Sequence, residues 1–343
     1  MKPRIFKIDP YNIDHDLLKQ AVAILHNRGL VAFPTETVYG LGANALDPRA
    51  SAGIFEAKER PLDDPLIVHI SEKDDLYRLT KEVPTKIQKL IDLFWPGPLT
   101  VVLEKTDLVP DIVTTGLMTV AVRMPRNSIA RKFIELAGVP IAAPSANIFG
   151  RPSPTTAKHV LNDLKGKIDV ILDGGRTEIG VESTVVKFQD GKVVVLRPGG
   201  VDIEDLQSVA GDVTLASETS DLANSPGKYP QHYSPSAKVV IVGNDSRQSE
   251  KVLLSAWEMK SYGLSVGILA KQEHADKYRK FKVKVLGPQN DARTCATRLF
   301  HMLREFDAKN VDVIISEAIS EKGIGLAVMN RLRKAAGPAD ALR

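Results

Sequence analysis

Leu30-Val31-Ala32-Phe33-Pro34-Thr35-Glu36-Thr37-Val38-Tyr39-Gly40-Leu41-Gly42 is the stretch from which the first half of the chain is read. Its apolar run, residues 30–33, fits a buried strand. Pro34 has no N–H and ends a ladder, while Gly40 and Gly42 admit a backbone geometry or close approach that a side chain forbids. A hydroxyl-rich turn is therefore expected at a strand end, with Thr35 and Thr37 pointing the same way if the backbone is extended. Taken alone, the segment also fits a Thr/Gly loop satisfied internally.

Outward from this turn, Asp14 or Asp16 caps a helix to about residue 27, with a stop at Gly29. A short helix is expected over 49–59, strands over 65–70, 99–103 and 119–123, and helices over 84–94 and 128–137. Then come a strand over 139–143, a helix over 156–164, strands over 169–172 and 182–186, and a last strand over 193–196. Interleaved helices and hairpin-like returns point to a mixed sheet covered by helices. Residues 217–235 read as a linker rich in Pro and aromatics. Beyond it, strands over 237–242, 264–269, 282–286 and 311–316 alternate with helices over 249–261, 291–306 and 325–336, the βαβ rhythm of a three-layer domain. The expected division is a catalytic domain over 1–216, a linker or lid over 217–235 and a Rossmann-like domain over 236–343.

At 343 residues the chain has room for two cores. The net charge of +4 looks evenly spread, with 26 Lys/Arg against 24 Asp/Glu in residues 1–200 and 20 against 18 in 201–343. Nucleic acid is thus not an obvious primary partner. Cys295 is the single cysteine, which excludes an intramolecular disulfide framework and a cysteine-rich zinc site and favours a reducing cytoplasm. No apolar run approaches bilayer length, so no membrane role is expected.

Three polar elbows, Thr35/Thr37, Ser145/Asn147 and Ser183/Thr184, follow or join strands and offer small donors and acceptors, as a binding site requires. Lys58 and Arg60 suit phosphate oxygens, although a K-x-R pair is more commonly a solvated surface feature. Arg123 and Arg197 lie in or just after apolar strands, where an unpaired guanidinium is expensive, so each needs an anion from the protein or a ligand. His69 fits a polar wall. Glu36 and Glu182 would orient a magnesium-bound water or a substrate amine, solvated loop carboxylates being the commoner case. Neither a G-x-S-x-G elbow nor a G-x-x-x-x-G-K-[ST] loop occurs.

Together with Lys58-Glu59-Arg60-Pro61, Pro65-Leu66, Trp95-Pro96-Gly97-Pro98-Leu99-Thr100, Arg123-Met124-Pro125, Pro144-Ser145-Ala146-Asn147, Glu182-Ser183-Thr184-Val185, Arg197-Pro198-Gly199 and Lys228-Tyr229-Pro230-Gln231-His232-Tyr233, the opening motif stands in the order of the YrdC-like family. The chain resembles the long, two-domain form of that family over essentially its whole length. The resemblance implies a twisted mixed-sheet α/β catalytic domain plus a smaller Rossmann-like three-layer domain. It implies a nucleotidyltransferase that joins L-threonine, bicarbonate and ATP, with Mg²⁺ carried by ATP and no direct side-chain metal ligands, into threonylcarbamoyl-AMP and pyrophosphate. The product would pass to a transferase complex that modifies tRNA beside the anticodon; direct tRNA contact would be weak. By the same resemblance Thr37, His69, Arg123, Ala143 and Ser183 would hold threonine. Lys58, Arg60, Asp64, Thr119, Ser145, Asn147, Ser153 and Arg197 would hold ATP, and Tyr233 would reach it from the linker. Asp64 departs from the Asn common in the family and sets a negative charge near phosphate. Two other readings remain open on sequence: an RNA-binding module without chemistry, and a carbamoyl transferase.

Overall fold

The computed structural model describes residues 2–216 and 229–338. The chain divides into two compact units, Met1–Phe149, Ser153–Glu178 and Glu182–Lys228 in the first, and Gly150–Pro152, Ile179–Val181 and Tyr229–Arg343 in the second. Of the expected linker, residues 217–228 lie outside the described residues and 229–235 belong to the second unit.

The first unit runs β1 (Arg4–Lys7), α1 (His15–His26), β2 (Val31–Phe33), β3 (Gly40–Asn44), α2 (Pro48–Lys58), β4 (Ile67–His69), α3 (Asp74–Leu79), α4 (Thr85–Phe94), β5 (Leu99–Glu104), α5 (Asp111–Thr114), β6 (Thr119–Arg123), α6 (Ser128–Ala137), β7 (Ile141–Ala142), α7 (Ala157–Leu164), β8 (Val170–Asp173), β9 (Thr184–Gln189), β10 (Lys192–Arg197), α8 (Ile203–Ala210) and β11 (Val213–Leu215). Its strands pair in the order β1-β8-β2-β3-β7-β4-β6-β5-β9-β10-β11. Parallel pairs such as β4 with β6 alternate with antiparallel ones such as β5 with β6, the expected mixed sheet. Asp14 caps α1 by accepting from the amides of Asp16 and Leu17, and Asp47 caps α2 in the same way. Apolar stripes of α1 and α6 pack on Phe6, Val31, Phe33 and Leu172 from one side of the sheet. Those of α2, α4 and α7 join Ala32, Leu41, Val68 and Val101 in the larger core.

Two expectations are corrected here. Gly40 and Gly42 lie within β3, antiparallel to β2, and not in the turn itself, while the close approach expected of them is present. A Cβ on Gly42 would stand 2.8 Å from the Phe33 ring and 2.9 Å from Ile141, so the glycines let an aromatic residue cross the strand rather than bend the chain. The strand at residues 193–196 is also not the last, since α8 returns the chain to pair β11 parallel to β10. β11 is three residues long and carries one buried side chain, Val213, which leaves little alternation to read.

The second unit runs β12 (Lys238–Val242), α9 (Gln248–Ser261), β13 (Val266–Lys271), β14 (Lys282–Gly287), α10 (Ala292–Asp307), β15 (Val313–Glu317) and α11 (Gly325–Ala336). Its sheet, β12-β15-β13-β14, is parallel throughout, as a βαβ succession requires.

Candidate active site

Strand register builds the site. His69 of β4 lies opposite Arg123 of β6, which lies opposite Thr100 of β5. One pleat further along the same face, Ile67, Ala121 and Val102 stand side by side. A polar row thus adjoins an apolar one, and the latter belongs to a small cluster with Val185 and Leu196 that is drawn from strands alone.

The polar row is closed by the turn between β2 and β3. Arg123 donates to the Thr37 hydroxyl at 2.8 Å and to the Gly97 carbonyl at 3.3 Å. Thr35 gives its single hydroxyl proton to the Val38 carbonyl at 2.7 Å and lies 2.8 Å from the Thr37 oxygen, so Thr37 donates to Thr35 and turns its lone pairs to the guanidinium. Glu36 is fully buried and stands 2.8 Å from Arg123 Nη2. Neither Glu36 oxygen has a hydrogen-bonded partner and Nη2 has none either, so charge and not an aligned N–H···O bond holds the pair. The expectation of a solvated Glu36 is corrected: it is the anion that Arg123 required. Burial, and then the Arg123 charge, push His69 down from its usual 6.5 to about 3, so its imidazole is neutral at physiological pH.

On the far side of Arg123, the hydroxyls of Thr100 and Ser183 meet at 2.7 Å. Arg197 donates to the Ser183 carbonyl at 3.0 and 3.2 Å and to its hydroxyl at 3.2 Å. Gly199 makes this crossing possible, because a Cβ there would lie 2.3 Å from the Ser183 carbonyl carbon. Thr100 is the one polar residue in the apolar run Leu99–Leu103, which is the signal in the sequence that marks it.

Lys58 and Arg60 are buried, which overturns the solvated reading of the pair. Lys58 Nζ donates to the carbonyls of Ser145 and Asn147 at 2.5 and 2.6 Å, tying the end of α2 to the second elbow. Burial and then Arg60 push this ammonium well below the usual lysine range. Arg60 donates to the carbonyls of Asp64 and Pro65 and pairs with the Asp64 carboxylate at 2.9 Å. The departure at Asp64 therefore supplies a counter-charge to Arg60. Glu182 is buried too, and accepts a short hydrogen bond from Ser153.

Ala143 is buried and donates its amide to the Ile67 carbonyl at 2.8 Å; Asn147 is buried and donates from its side chain to the Ile148 carbonyl at 2.8 Å. Thr119 is half-buried, and with Val102, Glu104, Lys187, Phe188 and Leu196 it lines a cavity of about 520 Å³. Tyr233 lies in the second unit, where its buried ring stands 5.5 Å from Phe300 and beneath the Arg331 guanidinium at 5.2 Å. Among the described residues no group of three or more His, Cys, Asp or Glu could hold a metal ion.

A mixed sheet that sets an Arg/Glu/His/Thr row beside an apolar row, with buried cations tied to its elbows, has the mixed lining of a small-molecule site. The family model described as "Telomere recombination" matches residues 23–199, and the model for the threonylcarbamoyl-AMP synthase C-terminal domain matches residues 201–337. The chain is 48% identical to the threonylcarbamoyl-AMP synthase of Pyrococcus abyssi over 93% of its own length and 94% of that protein. It is 45% identical to that of Bacillus subtilis over 96% and 95%. The crystal structure of P. abyssi Sua5 complexed with L-threonine superposes with a TM-score of 0.90 at 47% identity, covering 97% of each chain. This chain belongs to the threonylcarbamoyl-AMP synthase family.

Proposed function

We propose that this protein is an L-threonylcarbamoyladenylate synthase, a nucleotidyltransferase that makes threonylcarbamoyl-AMP and pyrophosphate from L-threonine, bicarbonate and ATP. The observation that carries the reading is the Glu36–Arg123 pair within the polar row, next to an apolar row of strand residues. A neutral pair of opposite charges suits a zwitterion: the threonine carboxylate meets Arg123, which Thr37 orients by accepting from it, and the neutral His69 and the Thr100/Ser183 hydroxyls hydrogen-bond its polar side chain. Thr119 and the apolar row of Ile67, Ala121 and Val102 flank the purine. Lys58, Arg60 and Arg197 stand for the phosphates, whose negative charge favours the ammonium form of Lys58.

The residues work by holding reactants together. Bicarbonate takes up a proton and loses water to give CO₂; the threonine amine, once deprotonated, attacks that carbon, forming the N–C bond, and its second proton leaves to solvent. A carbamate oxygen then attacks the α-phosphorus, and the bond to the β-phosphate breaks to release pyrophosphate. Charge accumulates at each stage, and the buried cations neutralise it without any protein nucleophile. Mg²⁺, when bound with ATP, would screen the phosphates. The product serves a threonylcarbamoyl transferase complex acting on tRNA, in the cytoplasm. No helix among the described residues is long and apolar enough to cross a membrane. The test is pyrophosphate release from ATP, which should require threonine and bicarbonate together; equal release without threonine refutes the reading.

A further inference from the structure

The turn between β2 and β3 holds a carboxylate whose hydrogen-bonding capacity is unused. Glu36 is fully buried, and neither of its oxygens receives a hydrogen bond among the described residues. Buried polar groups in folded proteins are almost always partnered, so an exception of this kind asks for a donor that the chain does not supply. Arg123 stands close enough to be that donor, with Nη2 2.8 Å from Glu36 Oε1, yet no N–H is aligned with the contact and Nη2 is itself unpartnered. Two groups of opposite charge thus touch while both keep hydrogen-bonding positions open.

A pair whose task is only to hold the fold together looks different. Arginine and carboxylate then meet in line, often through two parallel N–H···O bonds, and each fills the other's positions. Nor does Arg123 need Glu36 for its orientation, since Nε is fixed on the Gly97 carbonyl at 3.3 Å and Nη1 on the Thr37 hydroxyl at 2.8 Å. The second Nη1 hydrogen and both Nη2 hydrogens remain open. A group of cationic donors therefore stands beside a pair of anionic acceptors. His69, opposite Arg123 in the sheet, is held neutral by its burial and by the Arg123 charge, so in the row and the turn that closes it Glu36 balances Arg123.

We infer that Glu36 is a specificity-determining residue that receives the substrate's α-ammonium, so that Glu36 and Arg123 together select a free α-amino acid. Such a molecule carries its carboxylate and its ammonium on one carbon. Seating the carboxylate on the open N–H groups of Arg123 therefore brings the ammonium, with its three donors, to the carboxylate that stands beside them. Each position is then filled by a hydrogen bond between charged partners, the stronger kind. A zwitterion leaves the charge of the row balanced, whereas a carboxylic acid without the amine adds an uncompensated negative charge next to a buried glutamate. The inference rests on the proposed synthase for the identity of the amino acid, and goes beyond it in making Glu36 a ligand contact as well as the counter-ion of Arg123.

Calorimetry with L-threonine and with β-hydroxybutyrate of the same configuration, which is threonine without its amine, tests the inference on the full chain. Wild type should prefer threonine by about 10- to 100-fold, the range for hydrogen bonds to charged groups. Glu36→Gln should cut that preference by about tenfold, with threonine weakened and β-hydroxybutyrate bound as well as before or better. Glu36→Asp, which keeps the charge and withdraws it by one methylene, should retain part of the preference. A Glu36 that only supports Arg123 gives another pattern: both ligands weaken in parallel and their ratio keeps its wild-type value, which overturns the inference. The wild-type ratio needs no variant to fold, and a ratio near one overturns the inference equally. Binding heats read the role of Glu36 apart from turnover, so an absence of threonine-dependent pyrophosphate release in wild type refutes the synthase, and an unchanged ratio in Glu36→Gln refutes amine recognition by Glu36.

Discussion

Replacing Arg123 by Met keeps most of the side chain's volume and removes its charge, which strands the Glu36 carboxylate at zero exposure with no hydrogen-bond donor on either oxygen. Breaking one side of a buried pair costs about 3–5 kcal/mol, because the remaining charge keeps its desolvation penalty and loses its compensation. For a unit of this size that corresponds to a fall in melting temperature of roughly 6–20 °C. Glu36→Gln should cost less, since the guanidinium keeps its bonds to Thr37 and Gly97. The double variant Glu36→Gln/Arg123→Met should then be less damaged than the two singles together, by about 1–3 kcal/mol. Two units make a single whole-chain unfolding energy ill-defined. Melting is therefore followed by Trp95 fluorescence in a Trp257→Phe background, which isolates the first unit. Calorimetry on the same variants should show threonine affinity lost in Arg123→Met with ATP affinity largely kept. Additivity within about 0.5 kcal/mol would show that the two charges are not coupled and would refute the zwitterion argument built on them.

Three further outcomes follow from the same geometry. His69 is depressed from 6.5 to about 3, so the unfolded chain takes up a proton near pH 6.5 while the folded chain does not until near pH 3. Its contribution to stability is full above about 6.5 and is lost as pH falls toward 3, at up to about 1.4 kcal/mol per pH unit; His69→Gln should flatten that part of the stability–pH curve, and an unchanged slope would contradict it. Lys58→Met should weaken ATP by about 1.5–3 kcal/mol, the range for hydrogen bonds to charged groups, while calorimetry finds threonine binding nearly unaltered. Gly199→Ala should destabilise the first unit by about 1–3 kcal/mol, as overpacking does, and lower ATP affinity through displacement of Arg197; a thermal scan at wild-type temperature would mean that the close approach to Ser183 can relax.

Legibility from sequence followed the length of the periodic signal. α1 and α6 were readable to within a residue or so because a capping side chain, apolar spacing and a glycine stop agreed, and α11 because its apolar spacing ends at Gly337. β3 was not, because its two glycines carry turn statistics while their function is to let Phe33 and Ile141 pack across the strand, a fact of the third dimension. The site divides in the same way. Residue types at strand ends named Thr37, His69, Arg123 and Ser183, but their partners come from distant stretches: Arg123 reaches 86 residues back to Thr37, and Ser183 reaches 83 back to Thr100. Local statistics therefore assigned Lys58, Arg60, Glu36 and Glu182 to solvent, the usual fate of such residues, and failed at every one. Those failures share a cause. All four charges are buried, Lys58, Glu36 and Glu182 against partners from distant segments and Arg60 against Asp64 of its own, and such burial carries a desolvation penalty which apolar side chains avoid. The proposed function accordingly draws its candidate ligand contacts from among these buried charges.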